Sequence, residues 1–324
     1  MVNIKTTIRT CMKIDSSLIV GDKPLVSILL AVYKPKESWL IEQLISLNEQ
    51  TYENIELLVY DDCPDCPINE EIIKNYITKF SYKLIRGTEN KGSNKAFEEL
   101  TKVAEGDFSA YCDQDDIWEA DKLEILIKLI QKENAVLAYS DMSVIDKDSK
   151  TSAESLRTVR PRLEYIYGEK LFDKLFFSNC IAGCSMLVSN KIAKSTIPFS
   201  KVTVHDQWIA MIAGFYGKIV FVEKQLVRYR IHGNNQTGIL TGIYTKKDYY
   251  NIRLKPLKQR LAEFKEVLKG ENLKSIEKFY EARTNKRIFR ILKYSYLSKK
   301  EAYFEVILKY MPNCVFKRII KKLK

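Results

Sequence analysis

Residues 25–33, Leu-Val-Ser-Ile-Leu-Leu-Ala-Val-Tyr, form a nearly unbroken apolar run that Lys34-Pro35 ends. A strand with one wet face alternates polar and apolar residues. A run without that alternation fits a strand covered on both faces, as in a parallel sheet. After it, Leu40, Ile41, Leu44, Ile45 and Leu47 repeat at helical spacing over 38–48. Strand-like 55–60 closes on Asp61-Asp62, followed by helix-like 69–80, strand-like 82–85, helix-like 93–103 and strand-like 107–112. This alternation predicts an α/β fold with right-handed crossovers: a Rossmann-like central sheet flanked by helices.

Tyr33, Asp61, Asp62, Asp113 and Asp115 all fall at C-terminal ends of predicted strands. That edge is where open α/β sheets bind ligands. Asp113, Asp115 and Asp116 follow the apolar run Phe108-Ser109-Ala110-Tyr111-Cys112. In an extended chain Asp113 and Asp115 would share a face and Asp116 the opposite one. Carboxylates this close repel unless a cation neutralises them. Hard oxygen donors suit Mg²⁺ or Mn²⁺ held together with a substrate's phosphates. The competing reading is a solvated acidic turn that caps a helix over 119–130. Neither the glycine fingerprint for dinucleotides nor a Walker-A loop is present, so carboxylates and a metal would have to hold any nucleotide.

The chain has 324 residues, 46% of them hydrophobic, enough for a large domain with an appendage or for two domains. Its net charge of +12 admits nucleic acid, an anionic membrane or nucleotides as partners. The absence of an aromatic-rich RNA-binding motif and of zinc-finger spacing argues against nucleic acid. Residues 1–20 are interrupted by Lys5, Arg9, Lys13 and Asp15, unlike a signal peptide, and no apolar run is long enough to span a bilayer. The expected location is therefore cytoplasmic, with reduced thiols. Cys63-Pro64-Asp65-Cys66 has no second cysteine pair to complete a zinc site and reads as a turn-rich loop.

Three blocks carry a resemblance: 26–33; Gln50-Thr51-Tyr52-Glu53-Asn54-Ile55-Glu56-Leu57; and Val59-Tyr60-Asp61-Asp62. Together they resemble the opening of the family-2 inverting glycosyltransferases, whose fold is the GT-A nucleotide-sugar fold. Asp113-Gln114-Asp115-Asp116-Ile117-Trp118 is similar to the DxD element of the rhamnosyltransferase-like branch, and the likeness runs over about 25–238. The resemblance implies that Tyr33 borders the nucleobase, Asp62 accepts from the base imide and Lys95 lies near the base or diphosphate. It also implies that Asp113 touches the ribose, Asp115 ligates the cation and Asp116 supports it.

The block 179–188 reads as a strand, and the resemblance puts it on the acceptor side, with Gly183 permitting close approach of a sugar. Val204-His205-Asp206-Gln207-Trp208 opens a helix. On residue type alone Asp206 is an N-cap; the match to a His-Asp-x-Trp block makes it the base that deprotonates the acceptor hydroxyl, with His205 supporting the site from behind or packing. In Arg228-Tyr229-Arg230-Ile231-His232-Gly233-Asn234-Asn235-Gln236, the resemblance gives Arg230, His232 and Asn234 to the donor, with His232 near the metal. The polar stretch 147–162, with Arg157, Arg160 and Arg162, reads either as a loop over the site or as a solvated loop. No Q-x-x-R-W element is present, which points to addition of a single sugar.

The expected organisation is an N-terminal extension (1–24), a GT-A catalytic domain (25–243) and a basic helical C-terminal region (244–324). Helices are expected over 248–268, 275–292 and 299–308. The basic, amphipathic 313–324 tail reads as a helix lying on an anionic membrane or capping the catalytic domain. The resulting expectation is an inverting, Mg- or Mn-dependent transfer of one sugar to a cell-surface, capsular or lipid-linked acceptor. A dTDP-rhamnose donor is expected first and a UDP-hexose second. Rival readings are a two-carboxylate glycoside hydrolase and a non-catalytic membrane-associated scaffold.

Overall fold

The computed structural model describes residues 23–232, 242–268 and 273–323. They group into two compact units, one of 23–175, 179–199 and 204–232, the other of 176–178, 200–203, 242–268 and 273–323.

The first unit alternates strand and helix as the apolar periodicity predicts: β1 (Val26–Val32), α1 (Glu37–Asn48), β2 (Ile55–Asp61), α2 (Glu70–Tyr76), β3 (Ser81–Arg86), α3 (Ser93–Val103) and β4 (Phe108–Cys112). β5 (Ile117–Trp118), α4 (Lys122–Glu133), β6 (Leu137–Ile145), β7 (Thr151–Ala153), α5 (Leu156–Val159), α6 (Phe172–Phe177), β8 (Met186–Ser189), α7 (Asn190–Ser195), α8 (His205–Tyr216) and β9 (Ile219–Arg230) follow. Among the described residues one sheet runs β3-β2-β1-β4-β8-β6-β9-β5, with β7 on β6. β1 pairs parallel with both β2 and β4, and β8 enters antiparallel beside β4. Ile28, Leu29 and Leu30 are all fully buried, as a strand covered on both faces requires.

The order of the strands places the site. The chain leaves β1 toward β2 and β3, then returns to lay β4 on the other side of β1. The strand order thus reverses between β1 and β4, and the ligand crevice of such a sheet is expected at their C-terminal ends, where Tyr33 and Asp113 stand. One expectation is corrected. Residues 179–185 are irregular, with a 3₁₀ turn at Gly183–Ser185, and only Met186–Ser189 is strand. Residues 219–230 are one strand that pairs with β6 and, near its end, with β5 as well.

The second unit is helical: α9 (Lys246–Tyr249), a π-helical turn (Tyr250–Leu254), α10 (Pro256–Val267), α11 (Lys274–Thr284), α12 (Ile288–Lys293), α13 (Lys299–Tyr310) and α14 (Asn313–Leu323). Phe316 and Ile320 of α14 are buried in a cluster with Ile243, Tyr249 and Leu308, so these two apolar side chains of the tail helix turn inward. Beside that cluster Arg283 and Glu305 form a buried ion pair at 3.3 Å, and Tyr249 Oη donates to Glu305 at 2.9 Å. No helix among the described residues is long and apolar enough to cross a membrane.

Candidate active site

The acidic triplet is not a helix cap. It leads into β5, Asp121 is the residue flanking α4, and Asp116 is buried. The side chain of Gln114 fastens the triplet to β1: its Oε1 accepts from Tyr33 N at 2.7 Å and its Nε2 donates to Tyr33 O at 3.1 Å. The ends of two strands that flank the crevice are thus joined by one amide.

Each aspartate has a different environment. Asp115 is half-buried, and its Oδ2 lies 2.7 Å from His232 Nε2. Asp116 is buried; its Oδ1 accepts from Arg230 N at 2.9 Å, and the Cys184 thiol also donates to the carboxylate. Burial, then the charge of Asp115, pushes the Asp116 carboxyl up to about 7. Asp113 is raised well above the usual carboxylate range by burial and by the charges of Asp116, Asp115 and Asp206. Ligand atoms of Asp113, Asp116 and Cys184 lie within 4.8 Å of one another. The carboxylates suit a hard cation, and their crowding leaves negative charge that such a cation would relieve. The Cys184 thiol does not suit one, since burial holds it protonated, well above its ordinary range. Lys122, fully buried behind the triplet, donates to Cys184 O at 2.6 Å and lies 3.0 Å from the centre of the Trp118 ring. Burial lowers it to about 7.

Asp206 sits in the first turn of α8, where Val204 is the cap residue. The His205 N–H at the start of the helix donates to Asn94 Oδ1 at 2.6 Å. Asp206 Oδ1 accepts from Asn179 Nδ2 at 3.0 Å and from Gln207 N, and the Gly183 N–H also donates to the carboxylate. Burial raises Asp206 to about 6 against the pull of these donors. A carboxylate with that value is ionised at neutral pH and still basic enough to take a proton.

Residues 27–194, just over half of the chain, match the model of the family described as Glycosyl transferase family 2. The chain belongs to this family. An uncharacterized glycosyltransferase of Methanocaldococcus jannaschii is 30% identical over 241 residues, 72% of this chain and 79% of that one. The Escherichia coli UDP-Glc:alpha-D-GlcNAc-diphosphoundecaprenol beta-1,3-glucosyltransferase WfgD is 29% identical over 195 residues, 59% of this chain and 71% of its own. Among solved structures, S. aureus TarS 1-349 in complex with UDP-GlcNAc superposes with a TM-score of 0.54 at 17% identity, over 74% of this chain and 66% of that one. The fold of this family 2 glycosyltransferase is GT-A, as the strand pattern and the resemblance imply.

Within that fold the expected residues divide. Tyr33 is a rim aromatic, 42% exposed, at the mouth of the crevice. Asp62 is buried; its oxygens accept from Lys91 N at 2.8 Å and Gly92 N at 2.7 Å, holding the loop before α3, and each keeps a second lone pair. Asp61 organises the following loop, accepting from Cys63 N, Ile68 N and Arg86 Nη1. Cys63 and Cys66 are free thiols within it.

Four places meet partners that the sequence did not indicate. Lys95 pairs along its own helix with Glu98 and Glu99. Arg230 is fully buried: Nε donates to Asp115 O at 2.7 Å, Nη1 to Asp146 O at 3.0 Å and Ser149 Oγ at 2.9 Å, and Nη2 to Glu42 Oε2 at 2.6 Å. Its charge supports the triplet through the Asp115 carbonyl. A Cβ on Gly183 would stand 2.6 Å from His205 Nε2, so the glycine makes room for a ring rather than for a sugar. Residues 151–159 form β7 and α5, and Arg157 is engaged by Glu223 and the Tyr165 ring. Asn234 lies outside the described residues. His205 packs as expected, 4.2 Å from the Phe97 ring, and burial lowers it to about 3. Gln114, Asn179 and Lys122 were not singled out by the sequence; Gln114 and Asn179 lay inside quoted blocks with no local cue to their partners.

Proposed function

We propose that this family 2 glycosyltransferase is an inverting, divalent-metal-dependent enzyme that moves one sugar from a nucleotide donor to a cell-surface or lipid-linked glycan. One observation carries the reading. Asp206, on α8, lies close enough to Asp113, after β4, for its charge to raise the Asp113 carboxyl. The candidate base and the candidate donor-site carboxylates therefore share one electrostatic neighbourhood. Tyr33 would border the base, Asp62 the base imide and Asp113 the ribose. Asp115 and Asp116, with His232 on Asp115, would hold the cation, which would neutralise the diphosphate. Asp206 would take the proton from the acceptor hydroxyl, held in place by Asn179 and the Gly183 and Gln207 amides.

The Asp-Gln-Asp-Asp-Ile-Trp and His-Asp-x-Trp blocks support dTDP-rhamnose as donor. The WfgD name favours a UDP-hexose and the TarS complex a UDP-linked sugar, and we adopt the UDP-hexose. Thermal-shift measurement with Mn²⁺ and a panel of nucleotide sugars tests the donor; no stabilisation by any member would return the scaffold reading. Release of nucleoside diphosphate tests the base. Asp206→Asn is expected to lose about 10²–10⁴ in rate while still responding thermally to the donor. Full transfer by that variant would remove Asp206 from the mechanism.

A further inference from the structure

We propose that the exposed face of α13 is a docking surface for an anionic lipid leaflet. Tyr303, Ile307 and Tyr310 are 56%, 57% and 71% exposed, and their spacing puts them on one side of the helix. Ala302, Glu305 and Leu308 occupy the buried side. The exposed side is thus an aromatic and aliphatic stripe beginning at Lys299 and Lys300, also exposed. Tyrosine favours the level of the lipid headgroups, where its ring is apolar and its hydroxyl wet.

The charge of the surroundings selects the occupant. From 286 to 321 the chain carries ten Lys and Arg and two carboxylates, Glu301 and Glu305. Glu305 is buried against Arg283 and Glu301 is half-buried, so every fully exposed charge in the stretch is positive. A second copy of the chain would bring like charges together across a shared patch. Nucleic acid would match the charge but offers nothing to the aliphatic Ile307 at the centre of the stripe. An anionic leaflet answers both features: headgroups for the lysines and acyl chains for the stripe.

This differs from a tail helix lying on the membrane, because Phe316 and Ile320 of α14 are already buried. It deepens the functional reading, since a lipid-linked acceptor sits at such a surface, yet its test is separate. Flotation of the full chain with phosphatidylcholine vesicles, with and without phosphatidylglycerol, measures it. Binding is expected only with phosphatidylglycerol and is expected to weaken with salt. Lys299→Glu/Lys300→Glu is expected to bind at least about tenfold more weakly, and Tyr303→Ser/Ile307→Ser/Tyr310→Ser to lose binding, both with an unchanged donor-dependent thermal shift. The proposal fails if the wild type ignores phosphatidylglycerol vesicles or if both variants bind as it does. It also fails if an oligonucleotide binds the wild type and the vesicles do not. Absence of any donor response in the wild type would sink the catalytic reading and leave this one standing.

Discussion

At the scale of single residues, three carboxyls of the site, those of Asp113, Asp116 and Asp206, are kept more basic than usual. Asp206 reaches about 6 because burial outweighs its donors, of which Asn179 is the side chain among the described residues. Removing a donor to the charged form raises a carboxyl further. With Asp206 as the proposed base, Asn179→Ala is expected to move the acid limb of the rate profile, near pH 6 in the wild type, to higher pH; an unmoved limb would mean that Asn179 does not tune Asp206. Asp116, at about 7 against an ordinary 3.8, holds an extra proton in the folded state across that interval. Its contribution to stability falls as pH rises from about 4 to 7 and is level above. Asp116→Asn has no such slope. Measured in EDTA, the variant's melting temperature relative to wild type is expected to climb through that window. A flat difference would show Asp116 to be an ordinary acid.

At the scale of elements, three contacts make the scaffold. Gln114 spans the mouth between β1 and β4 with two hydrogen bonds. Both are at partly exposed groups, so Gln114→Ala is expected to cost only about 1–2 kcal/mol. Nucleotide affinity is expected to fall by more than that stability loss alone implies, which calorimetric titration beside a melting curve would show. Gly183 lies against His205 and its N–H also reaches Asp206. Gly183→Ala is expected to destabilise by about 1–3 kcal/mol through overpacking and to slow transfer. In the helical unit, Glu305→Ala would strand the buried Arg283 guanidinium, at an expected cost of about 3–5 kcal/mol in urea unfolding.

At the scale of the whole molecule, the parallel half of the sheet was legible in the apolar runs, because burial on both faces of a strand shows in consecutive residues. The placement of Tyr33, Asp62 and Asp113 at strand ends followed from the same runs. The mixed half was less legible: β8 is four residues long, and β9 runs parallel to β6 over its length while taking β5 as a second, antiparallel partner near its end, so neither shows a clean period. In the candidate site, residue type and block order pointed to the triplet and to Asp206. They could not say that Arg230 is spent on backbone carbonyls and Glu42, or that Lys95 folds back onto α3. Nor could they say that Asn179 orients Asp206, or that His205 fills the space Gly183 leaves. Strand, helix and motif are written in neighbouring residues, and the chain alone determined them. Which side chains face the crevice, and which are desolvated behind it, depends on groups distant in sequence, so only the packed tertiary structure decided those roles.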